Sequence, residues 1–571
     1  MKKQLNLKRY KNVVFILILL IELSPFIFWI INHLFQDAWW DEIISLKDYA
    51  LVDFKTTVTK YPDPNNHILF NLINNLFTRI FGLRNIYETL NYIYLLRCLQ
   101  VFFACITILY SYIIVRNFFS KDHSFIVVGI LASTIPFLNF SLQLRGYNLS
   151  MMFFVMLIYH VWNYLESKKK IDLLLFFLLT FLLIYTLPSN IYAFIAFAIT
   201  ILYRWNKERI INKKEMVLTI KTKNKTKIGD NKRYLLLFLF GLLALLAIYG
   251  AYTPIMDTLL NNRFVIKEPE NRLFVLNAIL PDVINNLLSR RWIIFFIILA
   301  GIWLKLKTKK NIPNESKLLE LLFIFVMPFV FMFVHNKLPF DRTFILLAPI
   351  FAIILSVLII YFVERTELKF NNKFLLILLI SIYAIFTSFV QLNDNDEQLK
   401  LNLYKEIREQ TIYRNYYLCS NFIPHKIAEN ISKLAHLNTP VFMIDEIDRV
   451  SLMTYLEGKN IQSLTIIRIE EKIINANNQT FNHIARILKS MGKNKDVQYM
   501  QIPLNIDTNN NLNNYILLLN LNSQLYPNSS LILLDGYPNI VNLAQGKMQE
   551  YQFDKLNTEG FVYIYEINKK K

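Results

Sequence analysis

Two adjacent carboxylates, Asp41 and Glu42, are the residues of this 571-residue chain whose type and position point most clearly to chemistry. They follow the first long apolar run, in the sequence Asp37-Ala-Trp-Trp-Asp41-Glu42. Charged side chains beside a membrane span are costly and usually functional. A partly desolvated carboxylate can serve as general base for a hydroxyl nucleophile. The alternative is a solvated loop start in which Trp39 and Trp40 belong to the interfacial aromatic belt.

Cationic side chains recur in later loops that the pattern of apolar runs assigns to the same side of the membrane. Arg145 lies in a short loop with the sequence Gln143-Leu-Arg-Gly-Tyr. Its guanidinium could bind a phosphate through two hydrogen bonds, although snorkelling to lipid headgroups is the alternative. Lys337 and Arg342 stand together before a late apolar run. Cations facing a carboxylate across an external cavity suit a polyprenyl-phosphate ligand.

Eleven apolar runs approach the roughly 17–25 residues that a helix needs to cross a bilayer. The chain is 54% hydrophobic and only 18% charged, which is too few charges for a soluble protein of this size. We therefore predict a multi-spanning α-helical membrane protein with about 11 transmembrane helices. The runs are 13–31, 92–115, 124–141, 148–164, 172–186, 191–203, 234–253, 292–304, 319–334, 343–362 and 374–391.

Lysine and arginine alternate between the loops that join these runs. With a cytoplasmic N-terminus, the cytoplasmic segments hold 29 Lys and Arg and the external loops hold 13. Positive charge concentrates on the cytoplasmic side of membrane proteins. We expect a multi-pass protein of the cell (inner or plasma) membrane, with a long first external loop, 32–91, and an external C-terminal tail. The net charge of +20 then reflects orientation among membrane lipids, and no nucleic-acid partner is expected.

The composition changes after residue 391, which divides the chain into a transmembrane domain, 1–391, and a second domain, 392–571. Short hydrophobic runs alternate with amphipathic helical stretches in the second domain, and this pattern predicts an extracytoplasmic α/β domain. The expected helices are His425–Leu437 and Phe481–Met491. The expected strands are Pro440–Ile444, Ser463–Ile467, Tyr515–Leu519, Leu531–Leu534 and Phe561–Tyr565.

The stretch 66–81 inside the first external loop has apolar residues at helical spacing. Its asparagines and an arginine lie elsewhere around the helix, so it is too polar to be a span. We predict an interfacial helix that lies flat on the membrane and holds Asp41 at the height of a lipid phosphate. No glycine-rich phosphate loop, zinc-binding motif or G-x-S-x-G sequence occurs in the chain.

This ordered set of residues resembles the GT-C superfamily of membrane glycosyltransferases. Within it, the chain is most similar to the family of bacterial protein O-mannosyltransferases and lipid A aminoarabinose transferases, a resemblance to glycosyltransferase family 39. The resemblance covers about residues 10–390, whereas 392–571 matches only in position. Four motifs carry it: Asp41-Glu42 after the first span, Asn65-Asn66-His67 before the amphipathic stretch, Arg145-x-Tyr147 before the fourth span, and Pro339-x-x-Arg342 with Pro349 at a late span.

The resemblance implies an enzyme that transfers a hexosyl or pentosyl group from a polyprenyl-phosphate-linked donor. The acceptor would be a protein, a lipid or a glycan on the outer face of the membrane. Asp41 would be the base, or the carboxylate that orients the acceptor, and Glu42 would be its partner. The remaining implied residues are Arg145, Tyr147, Lys337, Arg342 and His67 for the donor phosphate, and Asn65 and Asn66 for the substrate loop.

A divalent metal is a candidate cofactor, because family members differ in metal dependence. Glu42 and His67 are the candidate ligands, but they form no closed set, so the metal stays unassigned.

Two other classes of protein remain open from the sequence. A transporter or flippase of lipid-linked saccharides would also have many spans, but it predicts polar groups near the midplane and internal repeats. The predicted spans hold few ionisable residues, among them Glu22, Arg97 and His160. A non-catalytic sensor with an external binding domain would leave Asp41 and Glu42 without a role.

Overall fold

The structure is a computed structural model, and its described residues up to 401 are mostly helical. Described residues are 2–62, 66–222, 231–261, 280–289, 314–335, 341–366, 368–401, 424–434, 440–444, 449–457, 465–470, 498–503, 531–535, 551–559 and 562–569. The helices up to residue 401 are α1 (Lys2–His33), α2 (Trp40–Ser45), α3 (Phe54–Thr59), α4 (Ile68–Ile80), α5 (Ile86–Asn91), α6 (Ile93–Phe118), α7 (Ile126–Ala132), α8 (Ile135–Leu142), α9 (Tyr147–Ser167), α10 (Lys170–Thr186), α11 (Asn190–Thr222), α12 (Lys232–Tyr252), α13 (Met256–Leu260), α14 (Leu280–Leu288), α15 (Glu315–His335), α16 (Ala348–Glu364) and α17 (Phe370–Leu401).

Six helical segments of the described chain are long and apolar enough to cross a membrane. Ten of the eleven predicted runs coincide with helical segments, and the run 292–304 lies outside the described residues. The total of eleven crossings stays a prediction. The six segments are Val13–His33, Ile93–Phe118, Lys232–Leu260, Glu315–Val334, Arg342–Glu364 and Asn371–Leu392.

The run 124–141 was expected to be one span, but it folds as two short helices, α7 and α8. Ser133 and Thr134 separate them, and their hydroxyls donate to the carbonyls of Gly129 and Ile130 inside α7. Pro136 in the first turn of α8 has no N–H to continue the earlier ladder. Both helices are buried on every side, so this pair lies at the centre of the bundle. The loop that carries Arg145 follows directly after α8.

The described residues of the first loop form four short α-helices and the π-helical turn Leu46–Ala50, and the predicted amphipathic stretch forms α4. Its polar face is buried, since Asn71 donates to Asn66 Oδ1 at 2.9 Å and Asn75 donates to the Val52 carbonyl at 2.7 Å. Its apolar face is turned outward, with Leu76 54% and Ile80 68% exposed. This orientation is the reverse of that found on a soluble protein, and it gives α4 an apolar surface suited to lipid.

The residues described beyond 401 form two helices and a six-stranded sheet in the order β3-β2-β1-β4-β6-β5. Strands β1 to β4 pair in parallel, whereas β6 is antiparallel to both β4 and β5. That these elements form a separate external domain stays a prediction. The elements are α18 (Pro424–Leu434), β1 (Pro440–Ile444), α19 (Arg449–Glu457), β2 (Thr465–Glu470), β3 (Gln498–Pro503), β4 (Leu531–Asp535), β5 (Tyr551–Glu559) and β6 (Val562–Lys569).

Four of the five expected strands are present, and Tyr515–Leu519 lies outside the described residues, as does the expected helix Phe481–Met491. The two strands that the sequence did not predict, β3 and β5, are the edge strands of the sheet. Edge strands need no continuous apolar run, because they have a strand neighbour on one side only. Helix α17 ends at Leu401, so the expected domain boundary at 391/392 falls inside a helix.

Candidate active site

The side chain of Asp41 lies between two guanidinium groups. Asp41 Oδ2 is 2.7 Å from Arg342 Nη1 and 3.8 Å from Arg145 Nη2. The three side chains are 16%, 13% and 1% exposed, respectively. Asp41 is the second residue of α2, and Arg342 lies in the 3-10 turn Asp341–Leu347 that leads into α16. Charges in a partly desolvated site interact more strongly than in water, so the charge of each of these three groups strongly affects the other two.

Glu42 binds a different set of groups from Asp41, all of them inside the protein. Glu42 Oε2 accepts the backbone N–H of Trp39 at 3.1 Å and is 3.4 Å from Arg97 Nη2. Glu42 Oε1 accepts the N–H of Leu144 at 2.8 Å. The first contact is half of a capping box, which explains why α2 begins at Trp40. Glu42 therefore joins α2 to the loop that carries Arg145.

Arg97 holds the connection between α1 and α2, a role that the sequence analysis missed. Its side chain is fully buried in α6 and donates to the backbone carbonyls of His33 (3.1 Å), Leu34, Gln36 and Asp37 (3.2 Å). An arginine inside an apolar run was the available signal, because such a residue is costly unless it is bound. The backbone that it binds cannot be read from sequence.

Arg145 is buried and does not extend to the solvent as a snorkelling side chain would. Arg145 Nη1 donates to Ser45 Oγ at 2.8 Å and to the Asp41 carbonyl at 3.3 Å. Its own carbonyl accepts from Gln100 Nε2 at 3.2 Å. Ser45 is at the C-terminal end of α2, so Arg145 contacts this short helix at both Asp41 and Ser45. The contacts fix the guanidinium beside the carboxylate.

His67 lies against the loop that carries Arg145, and its two ring nitrogens have distinct roles. The Gly146 N–H donates to His67 Nδ1 at 2.7 Å, so the neutral ring carries its proton on Nε2. Burial, followed by the charges of Arg145 and Arg342, holds the pKa of His67 well below its usual range. His67 Nε2 is 3.4 Å from Arg145 Nη2. Two donors thus meet at one point, where they can share an acceptor oxygen.

Gly146 permits this close approach. A Cβ atom at this position would lie 3.0 Å from His67 Cβ and 2.9 Å from Thr186 Cγ2. The ring of Tyr147 meets that of His67 edge to face, with centroids 4.9 Å apart, and Arg145 Cζ is 5.9 Å from the Tyr147 centroid. The Tyr147 ring therefore packs against both His67 and Arg145.

The other sequence-predicted residues divide into one that supports the loop and two outside the described residues. Asn66 is buried and its Nδ2 donates to the carbonyls of Thr57 and Lys60, both at 2.8 Å. It braces the first loop beside His67. Asn65 and Lys337 lie outside the described residues.

The two candidate metal ligands do not fit a divalent cation. Both Glu42 oxygens are bound by N–H groups or by Arg97, and the Nδ1 lone pair of His67 accepts the Gly146 N–H. Across the part of the chain that the structure describes, no group of three or more His, Cys, Asp or Glu residues is arranged to hold a metal.

No protein-family model matches the chain, and no curated protein matches it. Similar solved structures include ArnT from Cupriavidus metallidurans bound to undecaprenyl phosphate, at 11% identity and a TM-score of 0.45, covering 97% of this chain and 98% of that one. The apo state of ArnT gives 10% identity and a TM-score of 0.46, covering 98% of each chain. The Archaeoglobus fulgidus oligosaccharyltransferase AglB, in complex with an inhibitory peptide and a dolichol-phosphate, gives 11% identity and a TM-score of 0.42, covering 78% of this chain and 64% of AglB. Both ArnT and AglB are GT-C membrane glycosyltransferases. At this level of similarity, the role of each residue follows from the site itself.

Proposed function

We propose that this protein is an integral membrane glycosyltransferase that moves a sugar from a polyprenyl-phosphate donor to an acceptor on the outer face of the membrane. The observation that carries the proposal is the grouping of Asp41 with Arg145 and Arg342 in a chain built largely of apolar helices. A guanidinium group can bind a phosphate through two parallel hydrogen bonds. In a membrane protein, the phosphate that reaches such a site is that of a lipid.

The reaction exchanges one bond at the anomeric carbon of the sugar. The bond to the phosphate oxygen breaks and the bond to the acceptor oxygen forms. Negative charge grows on the departing oxygen, where Arg145 and Arg342 stabilise it. The leaving group is already an anion, so no acid has to protonate it. The proton of the acceptor hydroxyl passes to Asp41 and then to water.

The ion pair of Asp41 and Arg342 couples donor binding to this proton transfer. Arg342 Nη1 is 2.7 Å from the Asp41 carboxylate. A bound phosphate competes with the carboxylate for the guanidinium. The carboxylate is released for the acceptor hydroxyl only when the donor is in the site, which limits unproductive proton transfer.

His67 and Arg145 together bind one phosphate oxygen in this proposal. Their donor atoms, Nε2 and Nη2, are 3.4 Å apart, close enough for one oxygen to accept from both at ordinary hydrogen-bond distances. His67 acts as a neutral donor, because its pKa is held low. The neutral ring adds a hydrogen bond without a further positive charge that the bundle would have to bury.

We propose a cytoplasmic N-terminus, eleven spans and an external region beyond residue 391. The excess of Lys and Arg on one side of the predicted spans supports this orientation. The outward apolar face of α4 supports a first loop that rests on the outer leaflet. Asp41 is then at the level of the lipid phosphates, and the donor reaches it without leaving the membrane.

A transporter or flippase fits the spans less well. The ionisable groups Glu22, Arg97 and His160 are engaged inside the protein: Glu22 accepts from Ser381, Arg97 binds loop carbonyls, and His160 Nδ1 is 2.7 Å from Asp172 Oδ1. Among the described residues, these local contacts favour a structural role for the three groups over a polar path across the bilayer.

The proposal is tested with purified protein in nanodiscs and a polyprenyl-monophosphate donor whose sugar is radiolabelled. We expect release of free polyprenyl phosphate together with transfer of label to an acceptor hydroxyl in a panel of peptides, lipids and glycans. Recovery of intact donor throughout, combined with movement of the donor between leaflets of reconstituted vesicles, would favour the transporter instead.

A further inference from the structure

Helices α18 and α19, from the C-terminal part of the chain, contact the segment that leads into α2. The backbone N–H of His425, in the first turn of α18, donates to Asp37 Oδ2 at 2.9 Å. His425 Nδ1 is 2.8 Å from Asp37 Oδ1. Tyr455 of α19 accepts the N–H of Ala38 through its hydroxyl at 3.3 Å. Asp37 and Ala38 precede Asp41 by only four and three residues, so these contacts act close to the reacting carboxylate.

Two groups of α18 bind the Asp37 carboxylate. The Asp37 side chain is 10% exposed and meets both an N-terminal N–H of α18 and an imidazole. An N-terminal helix end carries a partial positive charge that favours a carboxylate. The eleven-residue α18 is itself anchored through buried Ile427 and Ile431, so it presents a fixed partner.

Tyr455 is suited to hold a backbone group. Burial raises the pKa of its hydroxyl well above the usual range, and the neighbouring charge of Asp37 raises it further, so the hydroxyl stays neutral. Helix α19 is anchored by Leu452 and Leu456, which are fully buried, and packs against α18 and α2. The two C-terminal helices therefore form one support for the segment.

Arg97 also holds this segment, because it donates to the carbonyls of Gln36 and Asp37. We propose that α18 and α19 position Asp41 for the transfer reaction, with Asp37, His425 and Tyr455 as positioning residues. This inference rests on the proposed function and assigns the C-terminal part a role in catalysis. The segment 36–39 links the transmembrane bundle to the C-terminal helices, and a shift there moves α2 and its carboxylate.

The kinetic test compares His425→Ala and Tyr455→Phe with the wild-type protein. Misplacing a reacting group by about 1 Å can cost about 10²-fold in rate, and we expect each variant to lower kcat about tenfold while changing the donor KM less than about twofold. His425→Asn, whose amide can donate from about the same point as Nδ1, should recover most of the rate. Lys426→Ala changes the exposed neighbour on α18 and serves as the matched control. Wild-type kcat in both variants would overturn the proposal.

Hydrogen exchange of the full-length protein separates this inference from the proposed function. We expect the amides of segment 36–42 to exchange faster in His425→Ala and Tyr455→Phe, and those of α6 to keep their protection. Unchanged exchange in segment 36–42 would overturn the positioning role even if the wild-type protein transfers sugar. Faster exchange in a protein that transfers no sugar would support the contact and refute the glycosyltransferase assignment.

Discussion

Asp41 Oδ2 lies 2.7 Å from Arg342 Nη1, although 301 positions separate the two residues in the chain. The bundle brings together the start of α2 and the turn before α16, and Arg145 completes the group from the loop before α9. A carboxylate beside two cations is matched to a reaction in which a phosphate leaves and a hydroxyl loses its proton.

Replacing either arginine should weaken use of the lipid donor. Removing one group that stabilises developing negative charge typically costs about 10²–10³-fold in rate. We expect losses of this order in kcat/KM for Arg145→Ala and Arg342→Ala. The lysine variants should recover only part of the loss, because an ammonium cannot make the bidentate contact. Steady-state kinetics with varied donor measures the effect, and Arg84→Ala, at an exposed position of the first loop, is the control. Unchanged donor dependence in Arg145→Ala would contradict its assigned role.

Glu42 should matter for stability more than for the chemical step. Glu42→Ala leaves the guanidinium of Arg97 buried without its carboxylate, a loss that typically costs about 3–5 kcal/mol. Glu42→Gln keeps an oxygen for the Leu144 N–H and should cost less. Thermal unfolding in detergent is followed by tryptophan fluorescence. The Tm should be highest for the wild type, lower for Glu42→Gln and lowest for Glu42→Ala. An unaltered Tm in Glu42→Ala would show that this buried pair contributes nothing to folding.

His67 should make the protein less stable in acid. Its pKa in the folded protein lies well below the roughly 6.5 of an exposed imidazole, so the unfolded chain binds a proton first as the pH falls. Stability is full above about pH 6.5 and declines below it towards the folded pKa, by up to about 1.4 kcal/mol per pH unit. His67→Asn retains an acceptor for the Gly146 N–H and should show a shallower fall in Tm between pH 7 and pH 5. Equal slopes in the two proteins would mean that His67 is not held neutral.

The orientation can be checked without knowing the donor. A reporter that is active only outside the cytoplasm should be active when fused at residue 395 and inactive when fused at residue 226, within the basic loop 204–233. The reporter is expected to be inactive on the side that carries the excess of positive charge, because that side is cytoplasmic, and active on the opposite side. A cytoplasmic signal at residue 395 would overturn the count of eleven spans.

The helices and the residues of the site were largely predictable, whereas their contacts were not. Apolar runs of sufficient length indicated the spans, and the spacing of apolar residues predicted α4. Asp41, Arg145 and Arg342 stood out because charges beside apolar runs are costly. The different contacts of Asp41 and Glu42 could not be predicted, because the sequence does not distinguish two adjacent carboxylates. Only the folded chain places Arg97 and the Leu144 N–H against Glu42. The contacts of Asp37 with His425 depend on tertiary packing that no local pattern encodes.

The most direct test of the central claim is sugar transfer by Asp41→Asn. The amide keeps the size of the side chain but cannot accept the proton of the acceptor hydroxyl. We expect transfer from a polyprenyl-phosphate sugar to fall at least about 10²-fold, with expression, membrane insertion and Tm close to wild type. Asp48→Asn, at a 44% exposed carboxylate of the same loop, should transfer normally. Near-normal transfer by Asp41→Asn would contradict the assignment of Asp41 as the catalytic carboxylate.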